Sequence, residues 1–202
     1  MVTAGMIGLT MCFNSVLAAE CIPVEQKLPE EVSLAKIRET WLGWNNTLRE
    51  KSKLSSYVEN ETLDKTASFW SLNAVNKGAI SHKRDGQKIY YDYPRMVKWF
   101  KGWGVEFKNI SRATFTENIG WGYYKCPATG DCTDNMIKAI RTTYDFFVGE
   151  KGKKSRAHYE SMMKKDFKKI GIGLALDQKK HKYFLTIHYG TEITSVPLPS
   201  CE

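Results

Sequence analysis

The sequence predicts an α+β fold in which helices cover a mostly antiparallel sheet, and three observations carry that prediction. Apolar residues recur at spacings of three and four through the first half of the chain, as on one face of a helix. Near the end, Ile170-Gly171-Ile172-Gly173-Leu174-Ala175-Leu176 alternates large and small side chains at period two, as a strand does. The 202 residues are 42% hydrophobic and 12% aromatic, enough to bury one core. Helices first and strands last point to α+β organisation.

The elements follow in order. Residues 20–32 are polar and carry prolines, giving an extended leader. A first helix starts at about Ser33, a candidate N-cap, and carries Ile37, Trp41, Trp44 and Leu48. A turn spans Ser52 to Asn60. The second helix carries Leu63, Ala67, Trp70 and Ala74 and stops at Gly78. A loop from Ala79 to Gln87 precedes a short helix from Pro94 through Phe100, which Gly102 and Gly104 end. Val105 to Ile119 is β-branched and aromatic, hence extended. Thr133 is the expected cap of a helix bearing Met136, Ile140, Tyr144 and Phe147, and another helix covers Arg156 to Lys165. The glycines of the strand at Ile170 leave one face flat, so another element can approach closely. Lys179, Lys180 and His181 turn the chain into a partner strand, Tyr183 to Tyr189.

Composition excludes several classes. So many aromatic residues leave too much apolar surface for disorder, no internal apolar run reaches the ~20 residues of a spanning helix, and 15 Gly with 6 Pro rule out collagen-like repeats. Thirty Lys+Arg against 22 Asp+Glu give a net charge of +8, which favours acidic partners or simply keeps the domain soluble. The clusters Lys151 to Arg156, Lys164-Lys165 and Lys168-Lys169 read as solvated faces, with an electropositive rim that recruits anionic envelope polymer or lipid as the second reading. No nucleic-acid module is present, and the aromatics fall at core spacing rather than on a stacking platform.

The N-terminus sets the compartment. Residues 1–19 hold no charged side chain. Their apolar stretch from Ala4 to Phe13, followed by Val16-Leu17-Ala18-Ala19, has the form of a signal peptide's hydrophobic region and cleavage site. Removing it leaves a secreted or cell-envelope protein with four cysteines, an even number that fits an oxidising environment. Of the three connectivities, Cys126–Cys132 closing a short loop with Cys21–Cys201 tying the ends is favoured. Zinc binding by Cys126 and Cys132 is the competing reading, but the pair has five residues between them and no second pair. The domain itself spans 33–193, with a tail at 194–202 that contains Cys201; no transmembrane segment remains in the mature chain, which is read as a monomer.

Four polar residues next to stiff or glycine-rich segments form a chemically sensible set: His82, Glu117, Glu150 and His158. Neutral imidazoles can hold a zinc-type ion while carboxylates orient them or take a proton from bound water. A second reading has the two histidines only hydrogen-bonding the carboxylates and tying layers together. His181 and His188 are expected to be structural or solvent-facing.

Several short motifs then occur in one collinear order: Leu63-Asp64-Lys65-Thr66-Ala67 within an "L…A…W" helix, Ser81-His82 with Asp85-Gly86, Thr116-Glu117-Asn118-Ile119, Phe147-Val148-Gly149-Glu150, Ala157-His158-Tyr159, Ile170-Gly171-Ile172-Gly173, and the closing strand from Tyr183 to Gly190. Over residues 35–191 this order resembles the CAP superfamily (cysteine-rich secretory proteins, antigen 5 and pathogenesis-related 1 proteins), especially its bacterial SCP-like extracellular members. Thr116 stands where the family usually has Gly, Phe147 where it has Trp and Ala157 where it has Gly.

The resemblance implies a three-layer α–β–α sandwich with a central antiparallel sheet. It places His82, Glu117, Glu150 and His158 on the family's cleft tetrad, with His82 and His158 as ligands of a divalent metal, often zinc. The function implied is a binding or interaction module working through that cleft, with no shared established reaction. The alternative is a metal-assisted hydrolase of peptides or envelope polymers, with Glu117 or Glu150 as general base. A lipid or sterol carrier is a third.

Overall fold

The computed structural model describes residues 28–195, except 30, 85, 90 and 110–112. The expected signal peptide, most of the leader and the Cys21–Cys201 bridge lie outside them.

The chain begins with α1 (Leu34–Lys51), the short strand β1 (Val58–Glu59), α2 (Glu61–Lys77) and α3 (Tyr93–Gly102). Next come β2 (Val105–Phe107), β3 (Phe115–Tyr123), α4 (Thr133–Val148) and α5 (Ala157–Met162). The strands β4 (Lys169–Asp177), β5 (Lys182–Gly190) and β6 (Ile193–Ser195) close it. The helix signals hold where a side chain or a glycine supplies the cap. Ser33 accepts from the Lys36 N–H at the start of α1, and Gly78 ends α2 in a left-handed conformation (φ 68°) that only glycine adopts without strain. Thr133 is not the cap of α4. Cys132 holds that position, and the Thr133 hydroxyl instead accepts from the Ser33 N–H (2.9 Å), joining the starts of α1 and α4.

The main sheet has the order β1-β4-β5-β3, with β4–β5 and β5–β3 antiparallel. The expectation of an antiparallel sheet needs one correction: β1, within the segment expected to be a turn, pairs parallel to β4, so the sheet is mixed. β2 and β6 form a second, two-stranded antiparallel sheet, and β6 runs across the expected domain boundary at 193.

Side-chain alternation divides the core into two layers. On one face of the sheet, Ile170, Ile172, Leu174, Leu185 and Ile187 pack with Ile37 and Trp41 of α1 and with Met136, Ile140 and Phe147 of α4. The other face carries Gly171 and Gly173, against which α2 lies in backbone contact. A Cβ on Gly171 would fall 2.2 Å from the Leu63 carbonyl carbon, and one on Gly173 would fall 2.1 Å from backbone atoms of Ala67 and Ser68. α3 adds Met96 and Phe100 to that side, packed on Leu63 and Phe115. The molecule is an α–β–α sandwich, as the motifs imply.

The last helix is shorter than its sequence signal. Arg49 is fully buried and its guanidinium donates to the carbonyls of Met162, Lys164 and Phe167 (3.0, 3.1 and 3.3 Å). These carbonyls at and beyond the end of α5 thus have a side-chain partner. Cys126 and Cys132 form the expected disulfide (Cα–Cα 5.0 Å). Among the described residues no helix is long and apolar enough to cross a membrane.

Candidate functional site

Strand β3 lies at the edge of the main sheet, and its alternation sends consecutive residues to opposite layers. Glu117 faces α2 and α3, sharing its side of the sheet with His188, its register partner on β5. Asn118 faces the other way and donates from its amide to the His158 carbonyl (3.0 Å) at α5. The four expected site residues thus fall into two carboxylate–imidazole pairs flanking one strand: Glu117 with His82 and Glu150 with His158.

In the first pair, His82 Nδ1 donates to Glu117 Oε1 at 2.7 Å. Glu117 is buried and has further partners that the sequence did not suggest. Arg84 reaches both of its oxygens (Nη1–Oε1 3.0 Å, Nη2–Oε2 2.5 Å), and His188 Nε2 donates to Oε2 at 2.7 Å. The Arg84 guanidinium lies over the rings of Trp70 and Trp99 (3.7 and 4.3 Å to the centroids) and donates to the His82 carbonyl (3.2 Å). Burial acts to raise the Glu117 pKa. The Arg84 charge and the hydrogen bonds from His188, His82 and Arg84 outweigh it, and hold this carboxyl well below the usual carboxylate range.

His188 is wholly buried, so the solvent-facing alternative for it does not hold, while the structural one does. Burial lowers its pKa, with Arg84 and His82 adding to the effect, against the opposing pull of Glu117. The ring donates from Nε2 to Glu117, and its Nδ1 lies 2.9 Å from the Thr66 hydroxyl, which also bonds the Leu63 carbonyl (2.8 Å).

In the second pair, His158 Nδ1 donates to Glu150 Oε1 at 2.7 Å, and Oε2 accepts the N–H groups of His158 (3.0 Å) and Tyr159 (3.4 Å). Burial raises the Glu150 pKa, but the bonds and charge of His158 and the two backbone N–H groups hold it below its ordinary value. Phe147, one turn before Glu150, stacks flat on the His158 ring (4.4 Å, 10° between planes), and the exposed Phe146 ring approaches it edge-on at 5.9 Å. The Phe-Val-Gly-Glu spacing therefore grips one imidazole by both face and edge.

Both expected histidines are thus fixed through Nδ1 by a carboxylate, the arrangement that orients metal-binding imidazoles. No group of three or more His, Cys, Asp or Glu side chains among the described residues is arranged to hold a metal. Arg84 and His188 are the members that sequence reasoning missed. The register that sets His188 opposite Glu117, and the burial of Arg84, which no sequence pattern displays, are what make them part of the site.

The match to known proteins agrees with this fold. The family model "Cysteine-rich secretory protein family" (CAP) matches residues 42–189. No curated protein sequence matches the chain. Among solved structures, an outer surface protein from Borrelia burgdorferi is similar at a TM-score of 0.55 and 15% identity, over 79% of this chain and 96% of that one. An extracellular protein containing an SCP domain from Bacillus anthracis is similar at 0.51 and 14% identity, over 77% of this chain and 40% of the other. NaASP2, solved with Zn2+, is similar at 0.51 and 14% identity, over 80% of this chain and 83% of that one. At these identities the likeness is one of fold. The family model covers most of the sequence, including both carboxylate–imidazole pairs, and the chain belongs to the CAP, or cysteine-rich secretory protein, family.

Proposed function

We propose that this CAP-domain protein is secreted or held at the cell envelope and works as a binding module through the cleft of His82, Glu117, Glu150 and His158. The observation that supports the reading is the pairing of each histidine with a carboxylate through Nδ1 at 2.7 Å. Two imidazoles, each oriented by a carboxylate, are the donor type that a divalent metal such as zinc takes: His82 and His158 would hold it, with Glu117 and Glu150 fixing the rings. Bound there, the ion would supply Lewis-acid polarisation of a ligand oxygen. The structure of NaASP2 with Zn2+ is in keeping with this reading. The loop between Glu150 and His158 carries exposed Lys151, Lys153, Lys154 and Arg156, which suit an anionic envelope polymer or lipid headgroup as ligand.

The hydrolytic alternative asks Glu117 or Glu150 to accept a proton. Glu117 already takes bonds from His82, Arg84 and His188, and Glu150 from His158 and two backbone N–H groups. Both carboxyls are held below their ordinary pKa, which makes them orienting groups rather than strong bases. Binding, not bond cleavage, is the role they suit.

Zinc titration by calorimetry tests the reading. The wild-type protein is expected to bind and the His82→Ala/His158→Ala double variant to lose binding. Equal heats from both would end the metal proposal. A peptidase or muralytic assay that stays silent across several divalent ions supports the binding module over the hydrolase.

A further inference from the structure

The end of β3 remote from Glu117 carries a second concave feature. Glu117 and Tyr123 are six residues apart on the strand, about 20 Å at ~3.3 Å per residue. There an open trough of about 790 Å3 is lined by residues including Tyr123, Tyr124, Lys125, Cys126, Lys138 and His181, a size within the ~300–1,000 Å3 of ligand sites.

Its frame is built. The Tyr124 side chain is buried, its N–H donates to the His181 carbonyl at 2.9 Å, and its ring meets the His181 ring edge-on at 5.8 Å. The Cys126–Cys132 disulfide closes the adjoining loop. His181 takes a left-handed backbone (φ 49°), uncommon for a residue with a side chain. Strand exit, α4 and the β4–β5 turn are thus joined around the trough.

The lining has a definite chemistry. Among the described residues it contains Lys125, Lys138 and His181 and no carboxylate. Beside the trough, on the face of β3 that carries Trp121 and Tyr123, Lys182 lies over the Trp121 ring at 4.0 Å. Asp177, at the start of the same turn, is engaged by Lys180 (3.2 Å). Tyr123 is 66% exposed and Trp121 46%, their rings edge to face at 5.8 Å. Wet aromatic rings offer flat faces to the apolar sides of sugar rings, and the cations suit carboxylate or sulfate groups. A membrane contact would favour projecting apolar tips, whereas this surface is concave and edged with lysines.

We propose that the trough is a binding site for an acidic saccharide chain, with Tyr123 stacking on a sugar ring and Lys125, Lys138 and His181 taking its anionic groups. The site is separate from the His/Glu cleft and needs no metal.

The test measures binding of a polygalacturonate oligomer and a dextran sulfate oligomer in EDTA, with neutral dextran for comparison. The acidic oligomers are expected to bind, weaken with rising salt and exceed the neutral one. Tyr123→Ala and Lys125→Gln/Lys138→Gln should each lower affinity several-fold and their combination roughly tenfold or more, as for central contacts of an interface. Tyr123→Phe should retain binding. Lys98→Gln, exposed on α3, should leave it unchanged, and a loop variant beside His158, Lys153→Gln/Lys154→Gln, separates the trough from that basic loop. All substituted side chains are exposed, so an unchanged far-UV spectrum verifies the fold. The proposal fails if the trough variants bind like wild type, if the loop variant alone loses binding, if neither acidic oligomer binds, or if phosphatidylglycerol vesicles bind while the saccharides do not. Because EDTA is present throughout, failure of zinc binding at His82 and His158 leaves this outcome untouched.

Discussion

Arg84 decides what Glu117 can be. A carboxylate buried this deeply persists as an anion only when charge and hydrogen bonds replace its water, and Arg84 supplies both while Trp70 and Trp99 cover the guanidinium. Arg84→Met keeps bulk but leaves the Glu117 charge with only the two imidazoles. Removing one partner of a buried pair costs about 3–5 kcal/mol, so a denaturant melt should show a loss of that size. Arg156→Ala, which breaks the exposed pair with Glu160, should change stability by less than ~1 kcal/mol. Equal small losses from both would mean that Arg84 is not the counter-charge. The histidines and glutamates of the two pairs were legible as candidates because each sits in a short motif. Arg84 was not, since an arginine beside Lys83 and Asp85 looks like a solvated loop charge until tryptophans from α2 and α3 are known to lie over it. His188 occupies a polar position in an otherwise apolar strand, and only the β3–β5 register shows that its partner is Glu117.

At the scale of elements, two adjacent layers depend on what is missing from β4. The large-small alternation from Ile170 to Leu176 could be read directly, and its meaning is the backbone contact of α2 with Gly171 and Gly173. A methyl group at Gly173 would meet main-chain atoms of Ala67 and Ser68 at 2.1 Å, and the main chain of a helix cannot turn aside as a side-chain tip can. Gly173→Ala should therefore push α2 off the sheet and cost at least the ~1–3 kcal/mol of an overpacked core, read as a lower denaturant midpoint. Gly43 in α1 is exposed with nothing within 4 Å of its Cβ position, so Gly43→Ala should stabilise by about 0.5–1 kcal/mol through helix propensity. A Gly173→Ala variant as stable as wild type would remove the close-approach account. β1 escaped prediction because two residues carry no period; its pairing with β4 comes from the chain's position beside Lys169 and Ile170.

For the whole molecule, the buried ionisable groups oppose one another across pH, and the sum is the observable. Burial pushes Asp64 up to about 7, against the pull of Arg38 and the Ile172 N–H, so the native state binds a proton more readily than the unfolded chain. Its contribution to stability therefore grows as pH falls from about 7 toward its ordinary value of 3.8. His188 acts in the opposite sense. Its native pKa lies below the 6.5 of the free ring, so its contribution is present above 6.5 and is lost as pH falls through its lowered native value. Glu117 and Glu150, both lowered, contribute above 4.5 and lose that contribution as pH falls through their native values. The opposed titrations of Asp64 and His188 should then level the unfolding free energy of the wild type between pH 7 and 5 relative to either group acting alone, before it falls below about 4.5. Asp64→Asn keeps an oxygen for the Ile172 N–H but removes the opposing titration, so this variant should lose stability steadily as pH is lowered from about 6.5, ahead of the wild type. Chemical denaturation at pH 7, 6, 5 and 4 follows both proteins. Parallel curves for the two would show that Asp64 does not titrate in this range and that the levelling has another source.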